Sequence, residues 1–242
     1  MMKENLKRIL RQILIRFRIP ITKNIRYDIF TEDTLRAVLK ADSNCLDVGA
    51  HKGEILELLL RLAPEGKHSA FEPIPKLYND LLIQYGKKAD IYPFALSIEA
   101  GKTQFNVVTD DPAYSGIRER DYKNPNTPIE KINVEMRRLD EVLKNRTYKI
   151  HLIKIDVEGG EFDVLRGATE ILKIDKPILV FECGRGASEY YGTKPDELYS
   201  FLTSFNYSIQ TLGGFVKKQP SLKNSDFVST FENRTDYYFV AV

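Results

Sequence analysis

The fold is decided by residues 45–54, which read Cys-Leu-Asp-Val-Gly-Ala-His-Lys-Gly-Glu. An apolar strand runs here into a turn that contains two glycines, and a helix follows. Glycine has no Cβ atom, so the backbone of such a turn can approach a ligand closely. The spacing is Gly-x-x-x-Gly, which lacks the Gly-x-Gly-x-x-Gly of dinucleotide sites and the Lys-Ser pair of a P-loop. The turn argues against both nucleotide classes, and the acidic Asp47 at the strand end suits a cationic adenosyl ligand.

The chain around this segment alternates helices and strands from residue 31 onward. Short apolar strands are predicted at 44–48, 68–72, 91–95, 150–156 and 178–183, and further strands at 104–109 and 132–137. Helices between strands favour parallel βαβ units, so we expect an α/β protein with a mostly parallel sheet. Two extended runs near the end, 207–212 and 236–242, should pair as an antiparallel hairpin at the sheet edge.

The helices are predicted at 32–40, 54–62, 76–85, 161–172 and 195–205. Thr193 is the expected N-cap of the last one, because a threonine hydroxyl accepts from free backbone N–H groups at a helix start. Two stretches without predicted structure, 110–130 and 213–235, exceed the ~12–15 residues usual for a loop in a compact domain. Both are predicted to be lids over the substrate.

Acidic residues stand at the carboxyl ends of the predicted strands. Glu72 ends the second strand, where a doubly wound fold hydrogen-bonds ribose hydroxyls. Residues 154–161 read Lys-Ile-Asp-Val-Glu-Gly-Gly-Glu, and a lysine within a buried strand needs a charged partner, for which Glu182 is the expected residue. Open α/β sheets bind ligands at this edge. We therefore expect a site lined by Asp47, Glu72, Asp156, Glu158 and Glu182.

These motifs resemble those of the FkbM family of S-adenosylmethionine-dependent methyltransferases. The family pattern Asp-Val-Gly-Ala-Asn-x-Gly, Phe-Glu-Pro and Lys-Ile-Asp-Val-Glu-Gly-x-Glu is present at 47–53, 71–73 and 154–161, with His51 in place of the asparagine. The resemblance covers about residues 40–185. It implies a Rossmann-like class I methyltransferase fold. In that fold, a seven-stranded, mostly parallel sheet has an antiparallel last strand, and N-terminal helices complete the chain.

The resemblance also implies S-adenosylmethionine as the cofactor. Gly49 and Gly53 would face its methionine moiety, and Glu72 would hold its ribose. No acidic residue follows the third strand to read the adenine, so the backbone at Ala95 and Leu96, or Ser115, would do so. The implied cofactor-binding residues are Asp47, Gly49, Ala50, His51, Gly53, Glu72, Pro73, Ala95, Leu96, Ser115 and Asp156.

The implied reaction is O-methylation of a hydroxyl group on a sugar, a glycan or another small molecule. Such an enzyme must align the acceptor with the donor and supply a base for the hydroxyl proton. The candidate bases are Glu158, Asp156 and His51, in an order that the sequence leaves open. His68 and His151 stand at the amino ends of their strands. Candidate acceptor contacts are Tyr114, Arg118, Arg120, Arg185, Tyr190 and Tyr191.

Other functions are weighed against this one. A catalytically silent S-adenosylmethionine-binding protein or membrane-surface scaffold can keep the same fold. A divalent metal on Asp156, Glu158 or Glu182 would give a metal-assisted O-methyltransferase, but no further carboxylate is spaced to complete an octahedron, so we expect no metal. The absent Gly-x-Gly-x-x-Gly weakens a nicotinamide oxidoreductase. No nucleic-acid partner is expected, because the turn after the fourth strand lacks the Pro-Pro-aromatic element that holds a flipped base.

Charge is distributed unevenly along the 242 residues. The whole chain has 36 Lys and Arg against 34 Asp and Glu, yet residues 1–27 carry eight basic side chains and one acidic one. Residues 3–18 also place apolar side chains on one face of a helix. We predict a basic amphipathic extension over 1–30, followed by a methyltransferase domain over 31–242. The extension packs on the body, packs on a second subunit of a homodimer, or lies on an anionic membrane surface.

The remaining composition points to a reducing environment. The two cysteines, Cys45 and Cys183, cannot form a disulfide framework and are expected to be buried thiols. No stretch approaches the ~20 apolar residues of a membrane span, and the N-terminus lacks the pattern of a secretory signal. These features predict a cytoplasmic protein, with membrane association as an alternative for the extension.

Overall fold

The computed structural model describes residue 10 and residues 13–122, 124 and 126–242. Of the predicted leader helix, residues 10 and 13–16 are helical, whereas Leu6 and Ile9 lie outside the described residues. None of the described helices is long and apolar enough to cross a membrane.

The described residues form ten strands in two sheets. They are β1 (Cys45–Val48), β2 (His68–Phe71), β3 (Asp90–Tyr92), β4 (Phe94–Leu96), β5 (Gly101–Val108), β6 (Ile129–Arg137), β7 (Leu152–Ile155), β8 (Ile178–Glu182), β9 (Ile209–Thr211) and β10 (Tyr238–Ala241). The seven-stranded sheet has the order β3-β2-β1-β7-β8-β10-β9. Its strands from β3 to β8 are parallel, and β10 is antiparallel to β8 and β9. The predicted sheet and its antiparallel last strand are confirmed.

The central strands are buried on both faces. Every residue of β1, β2 and β7 is buried, as expected for parallel strands covered by helices on either side. The helices are α1 (Lys23–Val38), α2 (Glu54–Leu62), α3 (Pro75–Tyr85), α4 (Leu139–Val142), α5 (Glu161–Arg166), α6 (Thr169–Ile174), α7 (Pro195–Ser204), α8 (Leu212–Val216) and α9 (Asn224–Glu232).

The predicted third strand, 91–95, is divided between the two sheets. Pro93 separates β3 from β4 and has no backbone N–H to continue a ladder. β4 instead pairs with β6, which forms an antiparallel hairpin with β5 in the three-stranded sheet β4-β6-β5. The loop between β5 and β6 is the predicted lid at 110–130.

Three helix predictions need correction. The helix predicted at 32–40 begins at Lys23, because the Thr22 hydroxyl caps it by accepting from Ile25 N at 3.2 Å; it therefore runs through the proposed domain boundary at residue 30. The helix predicted at 161–172 is two helices separated near Gly167. α7 begins at Pro195 with Lys194 as its cap residue, so Thr193 is not the N-cap.

The second predicted lid, 213–235, is wrong. This stretch contains α8 and α9. Phe227 and Phe231, four residues apart on α9, are buried in the main core with Leu202 and Phe239. The apolar face of α9 is thus part of the folded body rather than a cover over the sheet edge.

Candidate functional site

A cavity of about 560 Å³ lies at the carboxyl ends of β1, β2, β7 and β8. Ligand pockets typically measure ~300–1,000 Å³. Most of the predicted site residues line it, namely Gly49, Ala50, His51, Glu72, Pro73, Ala95, Leu96, Ser115, Asp156, Glu158 and Glu182. Asp47 and Gly53 are not among the lining residues. The structure therefore has a cavity at the strand ends, where the sequence predicts the site.

Glycine is required at the two positions of the first turn for different structural reasons. Gly49 has φ +78°, and a Cβ built on it would lie 1.8 Å from the carbonyl oxygen of Asp156. Gly53 has φ +81°, and a Cβ there would meet Leu81 and Tyr85 of α3 at 2.6 and 2.8 Å. Gly49 is thus needed because the ends of β1 and β7 approach closely. Gly53 packs on α3 and does not face the cavity, contrary to the role that the resemblance implied.

His51 joins the turn to Glu72. Its backbone has φ +50°, and its N–H donates to Oε2 of Glu72 at 2.8 Å. The ring atom Nε2 is buried and has no hydrogen-bond partner within the described part of the chain. Burial, followed by the charge of Lys52, lowers the pKa of His51 below its usual 6.5, so the ring is neutral at pH 7. A neutral, unpartnered ring nitrogen can bind a polar group of a ligand or take a proton.

Glu72 is fixed by two backbone groups. Besides the bond from His51, its Oε1 accepts from Ile74 N at 2.9 Å. Burial raises the pKa of Glu72 to about 7. Each carboxylate oxygen has a second lone pair. The side chain is therefore held rigidly at the cavity wall and can still accept from ligand hydroxyls.

Lys154 pairs with Asp47 rather than with the predicted Glu182. Its Nζ lies 3.4 Å from Oδ1 of Asp47 and 3.7 Å from Oδ2 of Asp156, and it donates to the Gly49 carbonyl at 3.2 Å. The register of β1 and β7 places Asp47 directly opposite Lys154. Burial lowers the pKa of Lys154, but Asp47 and Asp156 outweigh it and keep the lysine protonated. Asp47 acts beneath the cavity, where it anchors the lysine.

The turn after β7 carries three carboxyl groups with separate partners. Oδ2 of Asp156 accepts from the Tyr238 phenol at 2.6 Å. Oε2 of Glu158 lies 2.6 Å from Nη2 of Arg120. Oε1 of Glu161 accepts from the N–H groups of Val157 and Gly159 at 2.9 and 3.1 Å, which shapes the turn from inside.

Two glutamates that follow β7, Glu158 and Glu161, have raised pKa values. Burial, followed by the charge of Asp156, raises the pKa of Glu158 to about 8, although Arg120 opposes the shift. Burial also raises the pKa of Glu161 to about 7. Across the cavity, burial and the neighbouring Asp156 raise the pKa of Glu182 well above its usual range. The Glu182 side chain lines the cavity and forms no hydrogen bond or ion pair with another described residue, so its carboxyl group is open to a ligand.

Ser115 belongs to the loop between β5 and β6. Its hydroxyl accepts from Val108 N at 2.9 Å, which fixes the loop against β5. The hydroxyl hydrogen remains to be donated. Ser115 therefore lines the cavity as expected, but it also has a structural role.

The sequence missed one wall of the cavity. It is formed by the first turns of α1 and the start of β10, from which Asn24, Tyr27, Asp28, Thr31, Tyr237 and Tyr238 line the cavity. The Tyr27 phenol donates to Oδ1 of Asp236 at 2.7 Å, and its ring centroid lies 4.6 Å from that of Tyr237. The sequence pattern assigns the residues before 31 to the extension, and no local motif marks a contact between segments about 200 residues apart.

Of the predicted acceptor contacts, Tyr114 and Tyr191 line the cavity. The Tyr191 phenol also accepts from Arg118 N, and the Tyr190 phenol accepts from Asp121 N. Arg185 pairs with Glu232 at 2.9 Å. Arg120 pairs with Glu158, not with an external anion.

The other titratable side chains lie where they were expected. His68 Nε2 is 2.8 Å from the Ala63 carbonyl, and His151 Nδ1 accepts from Asn44 N, both at the amino end of the sheet. Cys45 and Cys183 are free and buried. The described residues include no group of three or more His, Cys, Asp or Glu that could hold a metal ion.

The FkbM methyltransferase domain, as a sequence family, matches residues 47–209. The chain belongs to this family. A crystal structure of an FkbM methyltransferase from Methylobacillus flagellatus KT is 16% identical, with a TM-score of 0.53, and the match covers 89% of this chain and 50% of that one. The present chain thus spans half the length of that protein. At this identity the match supports a shared fold.

Two other solved structures are more remote from this FkbM domain. A precorrin-6y C5,15-methyltransferase from Geobacter metallireducens GS-15 is 12% identical with a TM-score of 0.46, covering 88% of this chain and 86% of that one. Fibrillarin from Aeropyrum pernix, solved with S-adenosyl-L-methionine, is 14% identical with a TM-score of 0.43, covering 87% and 72%. A search of curated protein sequences found no match.

The cavity of the FkbM domain fits the S-adenosylmethionine that the family implies. Among the described residues His51 Nε2 is a buried polar atom without a hydrogen-bond partner, and the backbone N–H of His51 bonds to a Glu72 carboxyl group that can also accept from ligand hydroxyls. Asp156, Glu158 and Glu182 place carboxyl groups at the far end of the cavity, where a sulfonium cation would favour the ionised forms of Glu158 and Glu182. The hydroxyl and sulfonium groups of the cofactor thus each have a chemically suited counterpart.

Proposed function

We propose that the protein transfers a methyl group from S-adenosylmethionine to a hydroxyl group of a sugar, a glycan or another small molecule. The observation that carries this proposal is the cavity of an FkbM domain with His51 and Glu72 on one side and Asp156 and Glu158 on the other. The turn after β1 would hold the methionine moiety through Gly49 and Ala50. Glu72 and His51 would hold the ribose, and Ala95, Leu96 and Ser115 would enclose the adenine.

When bound, the cofactor supplies a methyl group on a positively charged sulfur. The protein's task is to exclude water, align the acceptor oxygen and remove its proton. Tyr27 and Tyr237 offer ring faces and hydroxyls on the wall formed by α1 and β10, and Tyr114 does so from the loop between β5 and β6. Such surfaces suit a sugar ring or another flat, hydroxyl-bearing molecule.

Glu158 is the proposed base. Its side chain lies in the cavity and is held by Arg120, whereas Asp156 already accepts from Tyr238 and His51 stands beside Glu72. A pKa of Glu158 of about 8 lies near physiological pH, where a base is most effective. The positive charge of a bound donor would lower that pKa and so favour the ionised carboxylate when the acceptor arrives.

Incubation with methyl-labelled S-adenosylmethionine and a panel of sugars, glycans and hydroxylated small molecules tests the proposal. Mass spectrometry should detect a product that has gained the label on oxygen. Glu158→Gln should reduce the rate by about 100-fold or more. Glu119→Gln, which alters an exposed glutamate of the same loop, serves as the matched control and should retain the rate.

Two results would argue against this function. If the protein binds S-adenosylhomocysteine but labels no acceptor, a catalytically silent binding protein is the better description. If turnover requires an added divalent cation and stops with a chelator, the metal-assisted alternative replaces base catalysis by Glu158 alone.

A further inference from the structure

The loop between β5 and β6, of which residues 109–122 are described without a gap, carries a buried arginine. The Arg120 side chain is 9% exposed, and its Nη2 lies 2.6 Å from Oε2 of Glu158. Its guanidinium carbon lies 5.1 and 6.0 Å from the ring centroids of Tyr114 and Tyr122. A guanidinium between two rings and a carboxylate has little freedom to turn toward solvent. The pair therefore connects the loop rigidly to the turn after β7.

Further contacts hold the same loop in place. Its backbone N–H groups at Arg118 and Asp121 donate to the phenols of Tyr191 and Tyr190 at 3.2 and 3.1 Å. Gly116 forms a backbone bridge to Asn106 on β5. Residues 111–115 of this loop line the cavity. The loop covers the site in the same arrangement that pairs Arg120 with Glu158.

We propose that Arg120 is a positioning residue that fastens this loop over the cavity, orients the Glu158 carboxyl group toward the acceptor and favours its charged form. The inference rests on the proposed role of Glu158. Closure of the loop over the cavity would then be coupled to the protonation state of Glu158. When the loop opens, Glu158 loses its cation and takes up one proton from water; when the loop closes, it releases that proton and becomes ready to accept the one from the acceptor hydroxyl.

The electrostatic surroundings of Glu158 support this coupling. The groups that face it are the carboxyls of Asp156, Glu161 and Glu182, the phenols of Tyr122, Tyr191 and Tyr238, and the guanidinium of Arg120. Burial and the carboxylates disfavour a charged Glu158, whereas Arg120 favours it. Removal of the Arg120 charge should therefore raise the pKa of Glu158 further, so that the ionised form becomes scarcer throughout the physiological pH range.

Two analogues of the donor report the charge on Glu158 without turnover. S-adenosylhomocysteine is uncharged at sulfur, whereas sinefungin carries a protonated amine where the donor carries its methyl group. Calorimetric titrations from pH 6 to pH 9 give the ratio of their affinities. In the wild type, the affinity for sinefungin should increase relative to that for S-adenosylhomocysteine as the pH rises and Glu158 ionises. Glu158→Gln should remove that pH dependence.

Arg120→Gln should move the midpoint of this pH dependence upward by about 1–3 pH units. At pH 7.5 the relative affinity for sinefungin should fall about tenfold, and Arg120→Lys should restore part of it. Arg118→Gln removes a charge from the exposed neighbouring arginine and should leave the ratio unchanged. An unshifted midpoint in Arg120→Gln, or an equal shift in Arg118→Gln, would overturn the inference.

Hydrogen exchange tests the fastening of the loop without any ligand. Arg120→Gln should speed the exchange of the Arg118 and Asp121 amides relative to the wild type, whereas Arg118→Gln should not speed that of Asp121. Unchanged rates in Arg120→Gln would contradict the proposed fastening. If the wild type binds neither analogue, the proposed function fails, and the exchange rates still decide whether Arg120 holds the loop.

Discussion

The phenol of Tyr238 donates a hydrogen bond of 2.6 Å to Oδ2 of Asp156. This bond reaches from the antiparallel strand β10 past β8 to the end of β7. Lys154 Nζ lies 3.7 Å from the same carboxylate oxygen. The last strand of the sheet is therefore linked directly to the acidic turn of the site.

Loss of this bond should destabilise the protein. Tyr238→Phe should lower the free energy of unfolding by about 1.5–3 kcal/mol, because a hydrogen bond to a charged, poorly solvated group is lost. Tyr237→Phe is the matched control, since its phenol bonds to the exposed Asn24 at 3.2 Å and should cost less. Urea denaturation of both variants measures the difference. Equal losses would mean that the Tyr238 hydrogen bond contributes no more to the free energy of unfolding than the Tyr237 hydrogen bond does.

The close approach of β1 and β7 predicts an asymmetry between two glycines. Gly49 and Gly192 have similar φ values, +78° and +70°, but a Cβ on Gly49 would lie 1.8 Å from a backbone oxygen, whereas nothing lies within 4 Å of one on Gly192. Gly192→Ala should cost about 1–2 kcal/mol for backbone strain alone. Gly49→Ala should cost about 3 kcal/mol or more because the strands must separate. Thermal unfolding that ranks the variants otherwise would contradict this geometry.

The raised carboxyl pKa values predict that stability falls as pH rises. Glu72 and Glu161 have pKa values of about 7 in the folded protein, above the ordinary 4.5, so the folded state binds more protons than the unfolded state between those values. Their contribution is present below pH 4.5 and is lost as pH rises through 7. Glu161→Gln keeps an oxygen for Val157 and Gly159 and removes one titration. It should raise the free energy of unfolding at pH 8 by on the order of 2 kcal/mol relative to the wild type.

Urea denaturation at pH 5.5 and pH 8 checks this sign. At pH 8 the free energy of unfolding of the wild type should be lower than that of Glu161→Gln. At pH 5.5 the difference between the two proteins should be smaller. If the wild type instead became more stable relative to Glu161→Gln as the pH rises from 5.5 to 8, the raised pKa of Glu161 would be refuted.

The sequence predicts the parts of the fold that depend on local pattern. Largely apolar runs such as 152–155 predict buried parallel strands, and the carboxylates at the ends of these runs predict the position of the site. The pairing of Lys154 was missed because it depends on the register between β1 and β7, which are about 100 residues apart. The break near Gly167 has a similar cause: Asp140 of α4 accepts from Glu170 N and Ile171 N and so caps α6 from a distance.

The missed helix α9 is a different case, because its signal was present. Phe227 and Phe231 have helical spacing, and Asp226 lies in the first turn, accepting from Lys223 N at 3.4 Å. By contrast, no local signal places Tyr27 of α1 beside Tyr237. The wall of the cavity that should decide acceptor choice is therefore the part that long-range packing alone creates.

The N-terminal segment presents apolar side chains to solvent. Leu10, Ile13, Phe17 and Ile21 are 53%, 45%, 67% and 65% exposed, beside the basic Arg16 and Arg18. We predict that this segment, with the basic residues at 3–8, binds anionic membranes. The full chain should sediment with vesicles containing phosphatidylserine but not with pure phosphatidylcholine vesicles. Ile13→Ser with Phe17→Ser should lower the bound fraction several-fold.

Self-association is the competing explanation for these exposed residues. Sedimentation equilibrium of the wild type and of the same double variant decides between them. A wild-type dimer that the double variant disrupts, with no binding to either vesicle, would replace the membrane prediction by the homodimer.

Binding of S-adenosylhomocysteine, measured by calorimetry, tests the central claim most directly: the cavity beside His51 and Glu72 holds the methyl donor. We predict one site per chain. Glu72→Gln, checked by thermal unfolding to be folded, should weaken binding at least about tenfold because one acceptor for the ribose hydroxyls becomes a donor. Glu158→Gln should still bind. No binding by the wild type, or binding that Glu72→Gln leaves unchanged, would contradict the account.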